Sequence, residues 1–279
     1  MPPRALTTAD LPRAEALSAL IGWNQTQADW AAFLAAGQAQ GLDGDDPGCL
    51  AASAATIGYG PDLAWISMVL VRPELRRQGH ASRLMAWAVE SLRAAGTGCL
   101  ALDATPAGRE VYARMGFRDA WGLVRWLLPA PLAPQPGPAV RPLRAADWPA
   151  VLALDLAGFG APRPALLRGF ATRLPQAAWV AEAGGRVTGA ILGRDGLRLP
   201  GLGPLWAADT ATAQALLAAA RNALPGPAIL DLCDHAAELA AWLATQGATP
   251  QRPFMRMVLG TDLPGDASRY LAAAGPEFG

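Results

Sequence analysis

The sequence predicts an α+β protein: a mixed central sheet with helices on both faces, present as a tandem repeat whose second copy is degenerate. Three observations carry this. Short β-forming runs alternate with helical patterns in the first half of the 279 residues. A proline-rich stretch, PAPLAPQPGP at residues 129–138, separates the halves. The flanks of that stretch also resemble each other in order. Ala9-Asp10-Leu11-Pro12 matches Ala146-Asp147-Trp148-Pro149, Ala113-Arg114-Met115-Gly116 matches Ala244-Thr245-Gln246-Gly247, and the strand-like 124–128 matches 255–259. Each match is weak in an alanine-rich chain; their shared order makes the repeat.

The elements follow in order. A short strand is expected at residues 4–6, then helices at 11–20 and 28–36. Asp10 and Asp147 read as N-caps with proline just inside the helix. Strands are expected at 49–52 and 55–59, then a longer one at 64–71. Trp65, Ile66, Met68, Val69, Leu70 and Val71 make that run almost continuously apolar, as a strand covered on both faces should be. A helix over 79–94 carries Leu84, Met85, Ala88, Val89 and Leu92 at helical spacing. A strand at 99–102, a helix at 106–115 stopped by Gly116, and a strand at 122–128 complete the first copy. Proline has no amide donor and a fixed φ, so the 129–138 stretch reads as a stiff extended connector. The division is residues 1–128, a linker 129–139, and 140–279.

Composition bounds the function. A hydrophobic fraction of 52% and a charged fraction of 16% suit a packed globular protein. The formal net charge is zero with no basic stripe, which argues against nucleic acid as a partner. All 23 basic residues are arginine, which excludes a Schiff-base lysine and a phosphate loop of the Walker type. Cys49, Cys99 and Cys233 are too far apart for a disulfide framework or a zinc site and read as buried thiols. The N-terminus lacks the apolar run of a signal peptide, and no apolar stretch is long enough to span a membrane. The expectation is a cytoplasmic protein with no metal and no membrane partner, a monomer or homodimer.

The loop between the long strand and the long helix, residues 71–81, has the chemistry of an anion site. A strand ends, a glycine-containing turn follows, and a helix begins whose first amides lack partners and whose dipole is positive at that end. Gly79 lets the backbone come close to a phosphate, Ala81 keeps the approach clear, and Arg76 and Arg77 add charge.

Arg76-x-x-Gly79-x-Ala81, after a hydrophobic strand that ends in Val71-x-Pro73-Glu74, resembles the Arg/Gln-x-x-Gly-x-Gly/Ala motif of the Gcn5-related N-acetyltransferases (GNAT). The resemblance continues in Leu102-Asp103-Ala104-Thr105-Pro106 and Tyr112-Ala113-Arg114-Met115-Gly116-Phe117, and covers most of residues 1–128. The two-domain layout resembles the YitH-type subgroup, which carries a degenerate second acetyltransferase-like domain. The resemblance implies acetyl-CoA as acyl donor. The amides of Arg77, Gln78, Gly79, His80, Ala81 and Ser82 would cradle its pyrophosphate, with Arg76 adding charge. The backbone of Val69, Leu70 and Val71 would pair with the pantetheine arm. A primary amine of a small molecule or peptide would attack the thioester directly, helped by a backbone amide of the fourth strand, and Tyr112 would protonate the leaving thiolate.

Other roles stay open beside these. Tyr112 shares an apolar helix face with Val111 and Met115, which also fits a structural tyrosine. His80 also fits a solvated helix start. Asp103 is a candidate general base, and equally a turn acceptor for the helix start at Thr105-Pro106. Ser67 alternates to the strand face opposite Met68 and fits plain packing. The carboxylate of Gly279 is a further candidate base, since some relatives with a fused second domain bring the chain end into the active site; a frayed terminus is the alternative. The second copy has lost the loop: at its place stands Gly203-Pro204-Leu205-Trp206-Ala207-Ala208-Asp209-Thr210, where Asp209 would repel a phosphate, and Leu243 stands opposite Tyr112. Trp148, Phe159, Phe170 and Trp179 read as core and domain interface. An enzyme, a non-catalytic acyl-CoA-binding regulatory module and a structural scaffold are the three functional readings.

Overall fold

The computed structural model describes residues 2–46, 48–129, 131–133 and 136–279. Part of the expected connector therefore lies outside the described residues; its described part, 131–133 and 136–138, holds neither helix nor strand.

Two copies of one element succession follow each other. The first is β1 (Arg4–Ala5), α1 (Leu11–Ile21), α2 (Gln27–Ala36), β2 (Gly37–Asp43), β3 (Leu50–Gly58), β4 (Leu63–Val71), α3 (His80–Ala94), β5 (Cys99–Ala104), α4 (Pro106–Arg114) and β6 (Arg118–Leu128). The second repeats it as β7 (Ala139–Pro142), α5 (Trp148–Phe159), α6 (Pro164–Arg173), β8 (Trp179–Ala183), β9 (Arg186–Arg194), β10 (Gly201–Ala207), α7 (Thr210–Asn222), β11 (Ala228–Cys233), α8 (Ala237–Thr245) and β12 (Thr249–Gly260). One further strand, β13 (Tyr270–Ala273), has no counterpart in the first copy.

All strands form one continuous mixed sheet in the order β1-β2-β3-β4-β5-β12-β6-β11-β13-β10-β9-β8-β7. The copies are interlocked at its centre. β5 pairs with β12 of the second copy from Ala104↔Met255 to Cys99↔Gly260, and β11 pairs with β6 of the first from Ala228↔Leu128 to Cys233↔Leu123. β6 and β12 then pair antiparallel with each other. Each copy thus lends its last common strand to the other.

The helices fall into two layers. On one face α1, α2, α5 and α6 share a single core that includes Leu17, Trp30, Phe33, Val151, Leu167 and Phe170 and spans both copies. On the other face α3 and α4 cover the first copy through Met85, Ala88 and Leu92, and α7 and α8 cover the second through Leu216, Leu217 and Leu239. Trp148, Phe159 and Phe170 belong to the shared core, and Trp179 packs against the second copy's own core, as expected of the aromatic cluster.

Several elements differ from the sequence expectation. β2 was not expected: two glycines and two glutamines give it little β-propensity, and it exists through antiparallel pairing with β3 from Gly37↔Ile57 to Asp43↔Leu50. β3 is one strand rather than two, because Ser53 is fully buried and spends its hydroxyl on the Met68 carbonyl, 2.9 Å away. Asp10 and Asp147 do not cap the helices that follow them. Each closes a preceding single 3-10 turn, where its carboxylate accepts from the amide three residues back: Thr7 at 2.9 Å and Arg144 at 2.7 Å. An arginine of the adjoining strand, Arg4 or Arg141, clamps each carboxylate with two bonds. Cys99 and Cys233 are buried thiols, whereas Cys49 is only half-buried.

Candidate active site

β4 and β5 run parallel, but they pair only over Leu63↔Cys99, Ala64↔Leu100 and Trp65↔Ala101. Beyond Trp65 each is held on its outer edge alone, β4 by β3 and β5 by β12. The inner edges separate into a wedge. A bulge in β4 shapes it: the β3 register shifts between Ser53 and Ala55, and Met68 takes a left-handed backbone, φ 53°. Such a φ is costly for a side chain of this size, and the Ser53 bond to the Met68 carbonyl helps hold it.

The wedge opens into a cleft of ≈ 550 Å³ lined by Val69, Leu70, Val71, Arg76, Arg77, Gly79, His80, Ala81 and Ser82, with Thr105, Gly108, Val111 and Tyr112 of the α4 region. Of the residues expected to meet the donor, only Gln78 is not among its lining. Arg77 (φ 62°) and Gly79 (φ 82°) both take left-handed backbones on either side of Gln78, which turns the chain into α3. The first bond into α3 runs from the Arg83 amide to the Gly79 carbonyl at 3.0 Å, so the amides of His80, Ala81 and Ser82 precede the ladder. A Cβ on Gly79 would meet nothing within 4 Å, so the space above the loop is open to a ligand. These features suit a diphosphate.

Tyr112 lines this cleft and also a smaller adjoining cavity of ≈ 60 Å³. It sits flat because residue 108 is glycine; a Cβ there would lie 2.9 Å from the Tyr112 ring. Burial pushes its hydroxyl up to about 12, so it stays protonated at neutral pH. Asp103 lines the smaller cavity too, but both of its oxygens are engaged, at 2.8 Å each, by Arg256 of β12. Arg256 in turn lies between the rings of Trp65 and Trp121, 4.6 and 4.1 Å from their centroids. Burial outweighs this pairing and raises the Asp103 carboxyl above the usual range. The N-cap of α4 is Thr105, whose hydroxyl accepts from the Gly108 amide at 3.2 Å, so Asp103 is not the turn acceptor.

Sequence reasoning missed the remaining wall. Pro276 and Glu277 line the smaller cavity with Trp23, Ser67 and Met68. The final residues are not frayed but buried between the copies. Phe278 stacks on Phe33 at 4.8 Å and meets Phe170 edge-on at 5.2 Å. Tyr59 donates to the Phe278 carbonyl at 2.8 Å and the Trp65 indole to that of Pro276 at 2.9 Å. Arg163 donates to the carbonyl oxygens of both Phe278 (3.0 Å) and Gly279 (2.8 Å). The Gly279 carbonyl also takes a bond from the Tyr270 hydroxyl at 2.6 Å, so it is tied into the core; Glu277 is the tail residue that lines the cavity. The tail's apolar composition was the available signal.

The second copy shows why it is degenerate. β10 and β11 also pair over only two residues, Gly201↔Ile229 and Leu202↔Leu230, but their wedge is filled by β13, which pairs with both. The head of α7 is closed by Asp209, whose carboxylate accepts the Thr212 amide at 2.7 Å. Leu243, opposite Tyr112 in the repeat, is fully buried. Among the described residues no group of three His, Cys, Asp or Glu side chains could hold a metal, and no single helix is long and apolar enough to cross a membrane.

Comparison with known proteins agrees with this geometry. Residues 15–117 match the profile of the acetyltransferase (GNAT) family, and residues 151–272 match a further acetyltransferase (GNAT) domain profile. No curated protein matches in sequence. Among solved structures, a putative acetyltransferase from Pyrococcus horikoshii superposes with a TM-score of 0.82 at 18% identity, covering 100% of this chain and 95% of that one. A tandem GNAT protein from the clavulanic acid biosynthesis pathway gives 0.65 at 17% identity, over 94% of this chain and 99% of that one. A GCN5-related N-acetyltransferase from Sphaerobacter thermophilus gives 0.63 at 14%, over 95% and 96%. At such identities the likeness is one of fold.

Proposed function

Since the chain belongs to the Gcn5-related N-acetyltransferase superfamily and carries its domain twice, we propose that the first copy, residues 1–128, transfers an acetyl group from acetyl-CoA to a primary amine. The second copy, residues 140–279, then serves as support and as a wall of the acceptor cavity. The observation that carries this reading is the contrast between the copies. One wedge is open and ends at amides without partners; the other is filled by its own chain and capped by a carboxylate.

The bound donor supplies an activated acyl carbonyl. The chain does the rest. The amides of residues 77–82, with Arg76 and Arg77, hold the diphosphate end. The free edge of β4 at Val69, Leu70 and Val71 aligns the arm, and the bulge after Met68 leaves a backbone amide to polarise the carbonyl. Tyr112, shared by cleft and cavity, stands where a leaving thiolate needs a proton, and its raised proton affinity keeps that proton available. Asp103 acts through Arg256, fixing β12 against β5 beneath the cavity, rather than as a free base.

Titration calorimetry with acetyl-CoA and CoA, followed by free-thiol release over a panel of primary amines, tests the reading. Binding with turnover supports it. Binding without turnover on every amine favours the regulatory module, and no binding refutes both. Tyr112→Phe is expected to lower kcat by about 100-fold with the acetyl-CoA dissociation constant unchanged; equal kinetics would remove the proton-donor role.

A further inference from the structure

Ser67 and Glu277 line the same cavity, and each carries a buried polar atom, Oγ and Oε2, with no hydrogen-bond partner among the described residues. The Glu277 side chain is fully buried. Its other oxygen, Oε1, accepts from Arg194, which is anchored on its far side by Asp29 at 2.8 Å. A buried carboxylate with one oxygen open carries a desolvation cost that only a donor from outside can offset. The other carboxylate lining the cavity, Asp103, has no open oxygen.

The tail cannot easily swing Glu277 away. Phe278 is clamped between Phe33 and Phe170, and the carbonyls on either side of Glu277 are bonded to Trp65, Tyr59 and Arg163. Arg194 sets the carboxylate's orientation through its bond to Oε1. The same cavity is lined by Ser67, Met68 of the bulge and Tyr112, the groups around the proposed acyl carbonyl.

We propose that Glu277 receives the ammonium group of the acceptor and takes its proton, with Ser67 as a second contact for the same nitrogen. This rests on the acyltransfer reading above. The acceptor enters as R–NH3+. One N–H proton passes to Glu277 Oε2, and the freed lone pair forms the N–C bond as the C–S bond breaks. The departing sulfur takes the Tyr112 proton. Of the proton on Glu277 and the one that the new amide nitrogen sheds, one restores Tyr112 and the other leaves to solvent. The base therefore comes from the second copy, at a position that the first copy's own sequence does not contain.

Two isosteric thioethers of coenzyme A test this without a known acceptor: S-(3-aminopropyl)-CoA, which ends in an ammonium, and S-butyl-CoA, which ends in a methyl. Calorimetry at neutral pH on the full chain should show at least a tenfold preference for the aminopropyl form. Glu277→Gln should abolish that preference and leave plain CoA affinity unchanged, and Glu277→Asp should keep part of it. If Glu277→Gln does not fold because Arg194 keeps Asp29 as its one remaining carboxylate, Glu277→Gln with Arg194→Gln removes both charges of the pair and should show the same loss. An equal preference in wild type and variant, or none in wild type, overturns the role of Glu277 while CoA binding upholds the donor site. Failure of wild type to bind CoA overturns both.

Discussion

Replacing Gly79 with aspartate is expected to abolish acetyl-CoA binding, by at least about 100-fold or ~2.7 kcal/mol, with the fold intact. The reasoning separates three effects. Space is not limiting, because a Cβ at this position meets nothing within 4 Å. Conformation is only a modest cost: φ is 82°, in the left-handed region that aspartate tolerates better than most residues. What remains is charge. A carboxylate at the head of α3 accepts the amides that would serve a phosphate, as Asp209 already does at the head of α7 through the Thr212 amide. Gly79→Ala is the control and should lose far less. Calorimetry on the two variants, with circular dichroism to confirm the fold, checks this; unchanged affinity in Gly79→Asp would refute the loop assignment.

Replacing Arg163 with methionine is expected to cost about 3–5 kcal/mol of stability, which lowers the melting temperature by roughly 6–20 °C at about 2–4 °C per kcal/mol. Arg163 is fully buried and makes a bidentate pair with Asp155, at 2.9 to 3.2 Å. It also bonds the carbonyls of Phe278 and Gly279, and its guanidinium lies 3.5 Å from the Phe159 ring centroid. Methionine would leave Asp155 as a lone charge in the core and two carbonyls without this donor. Adding Asp155→Leu should recover part of the loss by removing that charge, but not the tail's lost bonds. A single variant that melts like wild type would show that the tail is held without Arg163. The same substitution should weaken any function that depends on the position of Glu277.

The candidate donor site was legible because its parts are contiguous in the chain: Arg76, Gly79 and Ala81 fall within six residues of one loop, and the strand before it and helix after it have strong local patterns. The elements that failed were those decided by partners. β2 has the composition of a loop and becomes a strand only beside β3. Asp10 and Asp147 looked like caps because the arginines that clamp them, Arg4 and Arg141, are not in helical register with them. Glu277 was passed over in a tail weighed for its terminal carboxylate. Its place in the same cavity as Ser67 depends on contacts that cross most of the chain, and no local pattern encodes those. Nor could the strand exchange be read, since β6 and β12 have matching patterns and either would suit either neighbour.

That exchange has an architectural consequence. An ordinary two-domain protein can be cut at its connector into parts that each keep a complete sheet. Here either part would surrender an inner strand and expose an unpaired edge beside β5 or β11. The arrangement is what a twofold pair of identical chains, each reaching an arm into its neighbour, becomes when one polypeptide joins them. In such an arrangement the two halves can differ in chemistry but cannot part company, and the half whose wedge is filled by β13 remains indispensable to the one whose wedge is open.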